Sequence, residues 1–567
     1  MSEWEPITVK HYVQSELMLL PAIGLGLVYV ALKAKNLQQN LKAVSRRTML
    51  IMVAMFTITV LTTFISQKKK AQSSPFSKLM LEQKYSQVQL SGYSIIENSP
   101  DLDYKTLECK DSYFEDNSSV RSSSPLRIGN SNDVKRVRDS VLELLRSGKD
   151  DTLKNCFQDK EDETEEYILE KKWYKFCGGS VWLDKFQVHY YTNRIVYSNF
   201  SRADKPNMSL VYIQIFDKNW NEIEGYKFDN SDITYPCILP IKNTVVSSSK
   251  NLGIEDPRIL LRTFQNETTR QMEQEPVIVY NSKHEGIKRR VFVYRPFQNA
   301  HSDIMLKSNS FKLRNTEKNW APFFDTDNPK DIFLIYQFSP LAILRCSLDT
   351  GNCEVTDKSL SDEINAATKS KMGSLRGGSN LIEVPPAIVP KELNRKFWLG
   401  LARSTNRKTG CLKVGYRPHI VMLSKPKHKN GRFRFDYVSS LLDFSITPEL
   451  WDPRKNDFCK DGKSVLIPNS IDSWNFVKSR FEELGHDLMT ITLSQADRYN
   501  DVIFVRGMLD HLRAVLKGDV RKMRDHFQQE KSEEQSIYLS KCSNSLSDKY
   551  FISAAEQAAS RKADKMN

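Results

Sequence analysis

The sequence predicts an all-β domain built as a propeller, carried behind an apolar N-terminal anchor. From Trp173 onward the chain is a succession of short apolar and aromatic runs, among them Gln187 to Tyr191, Leu210 to Phe216, Pro276 to Tyr280, Ile332 to Phe338, Phe397 to Ala402 and His419 to Leu423. Gly, Pro, Asn and Asp punctuate these runs, and their lengths suit strands. Three polar openings each precede an apolar run: Gly253-Ile254-Glu255-Asp256-Pro257-Arg258, Lys318-Asn319-Trp320-Ala321-Pro322 and Arg376-Gly377-Gly378-Ser379-Asn380. They stand about sixty residues apart, a loose period of the kind radial repeats show. Polar clusters that open buried strands are expected where side chains face a cavity, so these openings predict one shared axis.

Ahead of this domain the composition changes. Met49 to Ile65 carries no charge and is bracketed by Arg46-Arg47 and Lys68-Lys69-Lys70, as a single membrane span would be. A second apolar run, Leu17 to Leu32, holds Pro21, Gly24 and Gly26 and reads as a further span or an interfacial helix. The connection between the two is basic without acids, which places it in the cytosol and the large domain across the membrane. The expected organisation is an N-terminal segment 1–48, a signal-anchor 49–65, a polar stem 66–160, the propeller 161–510 and a helical extension 511–567. Within the stem, Asp133 to Leu145 has helical periodicity, and the acidic run Asp159 to Glu166 reads as a solvated surface.

With 567 residues the chain exceeds one small core, and its net charge of +14 favours anionic partners. Basic residues are interspersed with acidic ones and no zinc-finger, RNA-binding or helix-turn-helix signature occurs, which argues against nucleic acid. Asn117, Asn199, Asn207 and Asn266 begin glycosylation sequons, in keeping with a lumenal domain. Cys346 and Cys353 flank a turn, Asp349 to Asn352, that brings them within disulfide reach. All nine cysteines follow the anchor, and the odd number leaves one free or paired between chains.

The stretches LGIEDPRILLR, EKNWAPFF, LRGGSNLIEVP, FWLGLARS, YRPHIVML and DLMTITLSQADRYNDVIFVRGML resemble, in this order, the fungal β-1,2-mannosyltransferases. The resemblance runs from about Trp173 to Asp510. The EDPR and KNW elements are also similar to those of β-mannoside phosphorylases, five-bladed β-propellers with the site on the axis. Five blades, a Golgi membrane anchor of type II, GDP-mannose as donor and a mannan or mannosylated acceptor are what the resemblance implies. No bound cofactor is expected.

A β-linkage made from an α-linked donor requires inversion, hence an acceptor hydroxyl opposite the leaving nucleotide and a base for its proton. Asp256 is the candidate base and Glu255 the competitor, while the bland alternative is a structural ion pair with Arg258. The leaving diphosphate calls for arginine, offered by Arg258, Arg376, Arg403 and Arg417. Gly377 and Gly378, followed by Ser379 and Asn380, would let backbone approach a phosphate beside Arg376. Lys318 and Asn319 are candidates for sugar hydroxyls or phosphate. Trp320 offers a ring face or is ordinary core, and His419 contacts substrate or is a satisfied core histidine.

Asp325-Thr326-Asp327 matches the pattern with which many nucleotide-sugar transferases hold a divalent metal. It stands among Asn328, Pro329 and Lys330, as a hairpin loop does, so Asp325 and Asp327 form only a weak alternative metal site. The competing functions are a β-mannoside phosphorylase or hydrolase and a non-catalytic glycan-binding propeller.

Overall fold

The computed structural model describes residues 80–148 in part, 159, 162–241 except 230, 252–298 except 285 and 286, 304–308, 312–338, 341–358, 375–428 except 410 and 411, 431–477, 486–516, and 539, 541, 542 and 545. The two apolar N-terminal runs, Asn117 and most of the C-terminal extension lie outside these residues. No helix among the described residues is long and apolar enough to cross a membrane. The chain divides into a unit of residues 1–78 and 475–487 and a unit of residues 79–474 and 488–567. The second unit carries nearly all that is described.

Its strands form successive antiparallel groups in chain order. The first comprises Trp173–Leu183, Val188–Tyr197 and Met208–Phe216, and the second Glu255–Gln265, Met272–His284 and Ile287–Tyr294. The third is Ala321–Phe323, Asp331–Phe338, Leu341–Ser347 and Cys353–Lys358. The fourth is Arg376–Glu383, Arg395–Thr409, Leu412–Pro426 and Arg434–Ser439. The fifth is Lys463–Val477, His486–Gln495 and Tyr499–Arg506. Parallel pairing of Phe323 with Leu381, and of Val414 to Tyr416 with Lys463 to Val465, links the last three groups.

These segments are strands because both faces of each group find an apolar neighbour. Adjacent residues of a strand point to opposite faces. Ile259 therefore packs with Tyr190, Ile213 and Tyr280 of the first two groups, whereas Leu260 packs with Trp320, Ile332 and Leu334 toward the third. Phe333 and Ile335 turn the other way, onto Trp398, Val421 and Phe435 of the fourth group. Burial on both faces explains why the sequence shows unbroken apolar runs where a one-sided sheet shows strict alternation. Each such side chain contributes about 1.5–3 kcal/mol on burial.

The first and fifth groups meet differently, through buried polar groups. The backbone N–H of Ser180 donates to Ser470 Oγ at 2.7 Å and that of Gly178 to Asn500 Oδ1 at 2.9 Å, and Asn500 in turn donates to Asn193 at 2.9 Å.

The polar stem is a correction. Arg121–Ser123 pairs with Tyr499–Arg506 and with Tyr85–Gln87, adding outer strands to the fifth group. The periodic segment forms a helix, Ser131–Arg146, whose Val137 and Val141 pack on Ile195, Tyr197 and Tyr212. A stem would leave that stripe in water, and the first group's outer face supplies the apolar surface it needs. The acidic run is not simply solvated either: Thr164 caps the helix Glu165–Lys172, and Glu163 pairs with the buried Lys172. Cys346 and Cys353 are joined as a disulfide across their hairpin. Among the described residues both Cys177 and Cys237 carry free thiols, one more than the odd count required.

Candidate active site

The inner strands of three groups are interrupted near their starts by bulges, between Phe176 and Gly179, between Glu255 and Arg258, and between Gly377 and Leu381. A bulge leaves residues out of the ladder and re-aims their side chains. Cys177 (φ +53°), Asp256 (φ +51°) and Asn319 (φ +64°) adopt the left-handed conformation, which asparagine and aspartate tolerate and cysteine does not favour. Such backbone persists where the surroundings over-determine it, commonly at functional sites.

These devices bring Asp256, Arg258, Asn319, Trp320, Gly377 and Arg403 around one small depression. Three stretches far apart in sequence thus meet, as the shared axis predicted. Glu255 is gripped by cations: Arg289 at 2.7 Å, Lys318 at 2.6 Å and Arg194 at 3.3 Å. Burial acts to raise its carboxyl, but Arg194, Arg289 and Lys318 outweigh burial and hold it below the usual range. Asp256 keeps 26% of its side-chain surface exposed and stands 4.0 Å from Arg194. Burial again opposes ionisation, and the charges of Lys318, Arg194, Arg258 and Arg403 overcome it, bringing Asp256 down to about 2.

The bland alternative for the two carboxylates is thereby altered. Glu255 is a structural ion pair, but with Arg194, Arg289 and Lys318, while Arg258 donates to Pro257 O at 3.1 Å and Asn469 Oδ1 at 3.2 Å. Arg403 donates to Asn319 Oδ1 at 2.7 Å, fixing both at the depression. Trp320 is only 2% exposed and belongs to the core between the second and third groups, although it also lines the depression. Arg376 heads its strand opposite Arg403.

The remaining predicted binding residues are spent on backbone. A Cβ on Gly377 would lie 2.2 Å from Trp320 O, and one on Gly378 2.6 Å from Leu401 O. The glycines therefore admit neighbouring chain, where the sequence suggested a phosphate. Ser379 Oγ donates to Asn380 O at 2.6 Å and accepts from Leu401 N–H at 2.9 Å, satisfying groups the bulge leaves unpaired. The Asn380 side chain accepts from Ile471 N–H at 2.8 Å and donates to Ile471 O at 3.2 Å, stitching the fourth group to the fifth. Arg417 donates to Ser464 O at 3.2 Å and Ser464 Oγ at 2.9 Å across the same junction. His419 is fully buried, bonds Ser439 O at 3.0 Å, and is pushed down by burial to about 4, as a neutral core histidine.

Asp325 and Asp327 lie away from the depression. Lys396 Nζ sits between them at 2.5 and 3.0 Å and reaches Glu383 at 3.3 Å, so a lysine ammonium occupies the position a cation would take. Asn199, Asn207 and Asn266 stand just outside strand ends and are half-buried. Sequence reasoning missed Arg194, Arg289 and Asn469. A signal existed for the first, a lone arginine inside the otherwise strand-like VHYYTNRIVY.

The beta-mannosyltransferase family model matches residues 108–295 and 297–550. Beta-mannosyltransferase 3 of Candida albicans is 38% identical over 475 residues, covering 82% of this chain and 81% of that one. Beta-mannosyltransferase 3 of Komagataella phaffii is 34% identical over 360 residues, 62% of this chain and 57% of the relative's length. Among solved structures, a GH43 protein of Bacillus licheniformis aligns with a TM-score of 0.28 and 9% identity, over 61% of this chain and 57% of that one, too distant to place the fold. Family match, relatives and a carboxylate ringed by arginine and lysine agree: the chain belongs to the beta-mannosyltransferases, enzymes that transfer mannose into β-linkage.

Proposed function

We propose that this chain transfers mannose from GDP-mannose, with inversion, onto a mannan-type acceptor to make a β-1,2 linkage. The five strand groups are read as blades of a five-bladed propeller, and the catalytic unit as lumenal, held at the Golgi membrane by the N-terminal apolar segment. The observation that carries the reaction is Asp256: a partly exposed carboxylate, held ionised among Arg194, Arg258, Lys318 and Arg403, at the one point where three sequence motifs converge.

An ionised carboxylate can accept a proton and cannot donate one. In the proposed step the acceptor hydroxyl oxygen bonds to the anomeric carbon while the bond from that carbon to the diphosphate oxygen breaks on the opposite face. The hydroxyl proton passes to Asp256, and the electron pair leaves with the diphosphate. The surrounding cations neutralise the charge developing on the leaving group. When the diphosphate arrives it offsets the same cations, which raises the affinity of Asp256 for the incoming proton. Glu255, already saturated by three cations, positions Lys318 and Arg289. A general acid acting on a β-mannoside would instead need a carboxyl that stays protonated near neutral pH, the opposite of what these cations enforce.

The test is incubation of the purified chain with GDP-mannose and short α-mannan oligosaccharides, reading the new anomeric signal by NMR. A β-1,2-linked mannose is expected. An α-linked product, or mannose 1-phosphate released from β-mannosides by inorganic phosphate with no transfer, overturns the reading.

A further inference from the structure

A second hollow, of about 380 Å³, opens between the turn after Tyr197 and the segment 451–463. Nothing in the axial chemistry uses it, and none of the three polar openings contributes to it. Trp451 forms one wall, with Lys463 Nζ 3.3 Å from its ring centroid and the Arg202 guanidinium 6.0 Å away. Arg498 lies over the ring of Tyr174 at 5.2 Å. Phe200, at the rim, leaves 52% of its surface in solvent, one of few large apolar side chains so exposed among the described residues. The lining carries six lysines and arginines against three aspartates.

Asp497 lies within electrostatic reach of the axial cluster. This residue lines the hollow, has φ +50°, and accepts a hydrogen bond from Trp451 Nε1 at 3.2 Å. The charges of Arg194 and Arg403, both members of the axial cluster, act on its carboxyl. Burial is the dominant influence and pushes the Asp497 carboxyl up, against the hydrogen bond from Trp451 and the charges of Lys463, Arg194 and Arg403.

A ligand that fills this space must offer a flat ring to Trp451, negative charge to Lys463 and its neighbours, and a polar portion extending to Asp256. Asp204 already pairs with Arg202 and Lys463, Asp452 with Arg454 and Glu170 with Lys171. A neutral oligosaccharide satisfies the first demand but offers no charge to Lys455 and Arg498, which have no carboxylate within ion-pair distance among the described residues. A nucleoside diphosphate satisfies all three, because its base stacks, its phosphates pair with cations, and its sugar substituent projects beyond the phosphates. We infer that the Trp451–Lys463 groove receives the nucleoside diphosphate of the sugar donor and delivers its glycosyl group to the axial cluster. This inference rests on the transferase reading above and adds to it the donor's place.

The experiment titrates GDP into the full chain by calorimetry, in parallel with a neutral mannan oligosaccharide and a phosphorylated one. Trp451→Ala and Lys463→Ala should each weaken GDP by about tenfold or more and leave oligosaccharide affinity unchanged. Trp451→Phe, which keeps a flat ring, should restore GDP binding and so separates stacking from misfolding. Unchanged GDP affinity in both alanine variants overturns the assignment. So does loss of affinity for either oligosaccharide with GDP unaffected, which would make the groove an acceptor site. Failure of the transferase reading looks different: the wild type would bind GDP in a Trp451-dependent way yet form no β-linked product, and the groove would stand as a nucleotide site serving other chemistry.

Discussion

Two sets of motif residues look alike in sequence and fare differently in the fold. Asp256, Arg258 and Asn319 line the depression, Asp256 partly exposed and Arg258 buried, and Glu255 and Lys318 pair beside it. Ser379, Asn380, Arg417 and His419 stand in equally polar surroundings on paper, yet their hydrogen bonds go to the backbone of adjoining strands. A buried backbone group left without a partner costs about 1–3 kcal/mol, so a bulged strand or a junction between groups needs polar side chains as much as a substrate does. A polar motif opening a strand therefore marks either a site or a seam. What separates most of them is whether the side chain's partners are backbone groups or other charges; Arg258, which lines the depression yet donates to Pro257 O and Asn469 Oδ1, belongs to both.

This contrast yields predictions that sharpen or break it. The largest effect is expected at the base: Asp256→Asn should lower turnover by about 10² to 10⁴ while retaining GDP binding, measured by product formation and calorimetry, with a lowered thermal midpoint because the surrounding cations lose their partner. Turnover close to wild type would remove Asp256 from the chemistry. At the seam the ordering reverses. Asn380→Ala strands both polar groups of Ile471 and should cost about 1–3 kcal/mol per group in denaturant unfolding. Whatever protein remains folded should keep its KM for donor. An intact midpoint with a raised KM would return Asn380 to the site.

Acid unfolding should distinguish the two regions by pH. His419 and His511 are both lowered to about 4 by burial, so the unfolded chain binds their protons first and stability falls as pH drops from about 6.5 toward 4. Asp256, held at about 2, contributes stability that is full above the ordinary aspartate range and is lost only as pH falls from about 4 toward 2. His419→Gln should flatten the first slope and leave the second in place. The smallest effect is expected at the surface loop. Asp327→Asn loosens the contact between Lys396 and a carboxylate that is 77% exposed and should change stability by less than about 1 kcal/mol and turnover by less than about twofold. A large fall in turnover, restored by added divalent metal, would revive the loop as a metal site.

Much of the fold was legible. Strand positions followed from apolar runs bounded by turn residues, and the helix over Ser131–Arg146 followed from its 3.6-residue period. The stem was misjudged because its residues look polar on average, while the strand Arg121–Ser123 gains its stability from a partner strand nearly four hundred residues away in the chain. Local composition carries no trace of such pairing. At the site, Asp256, Arg258, Lys318 and Asn319 were recognisable because polar residues near Pro or Trp at the mouth of an apolar run are costly unless they face a cavity, and Arg403 because it is an arginine beside a motif. Arg194 and Arg289 were not recognised, since each sits within a strand and its partner Glu255 is distant in sequence.

The sequence by itself determined that the chain is all-β in its main body and to which family it belongs, because these rest on periodicity, turn chemistry and motif order. Only the tertiary structure decided that Glu255 is an anchor and Asp256 a partly exposed, ionised carboxylate, that Gly377 yields to Trp320, and that Asn380 and His419 belong to seams. The physical reason is common to all of them. A side chain's role is fixed by the charge, burial and unpaired backbone it meets, and those neighbours are supplied by strands that the sequence separates and the fold brings together.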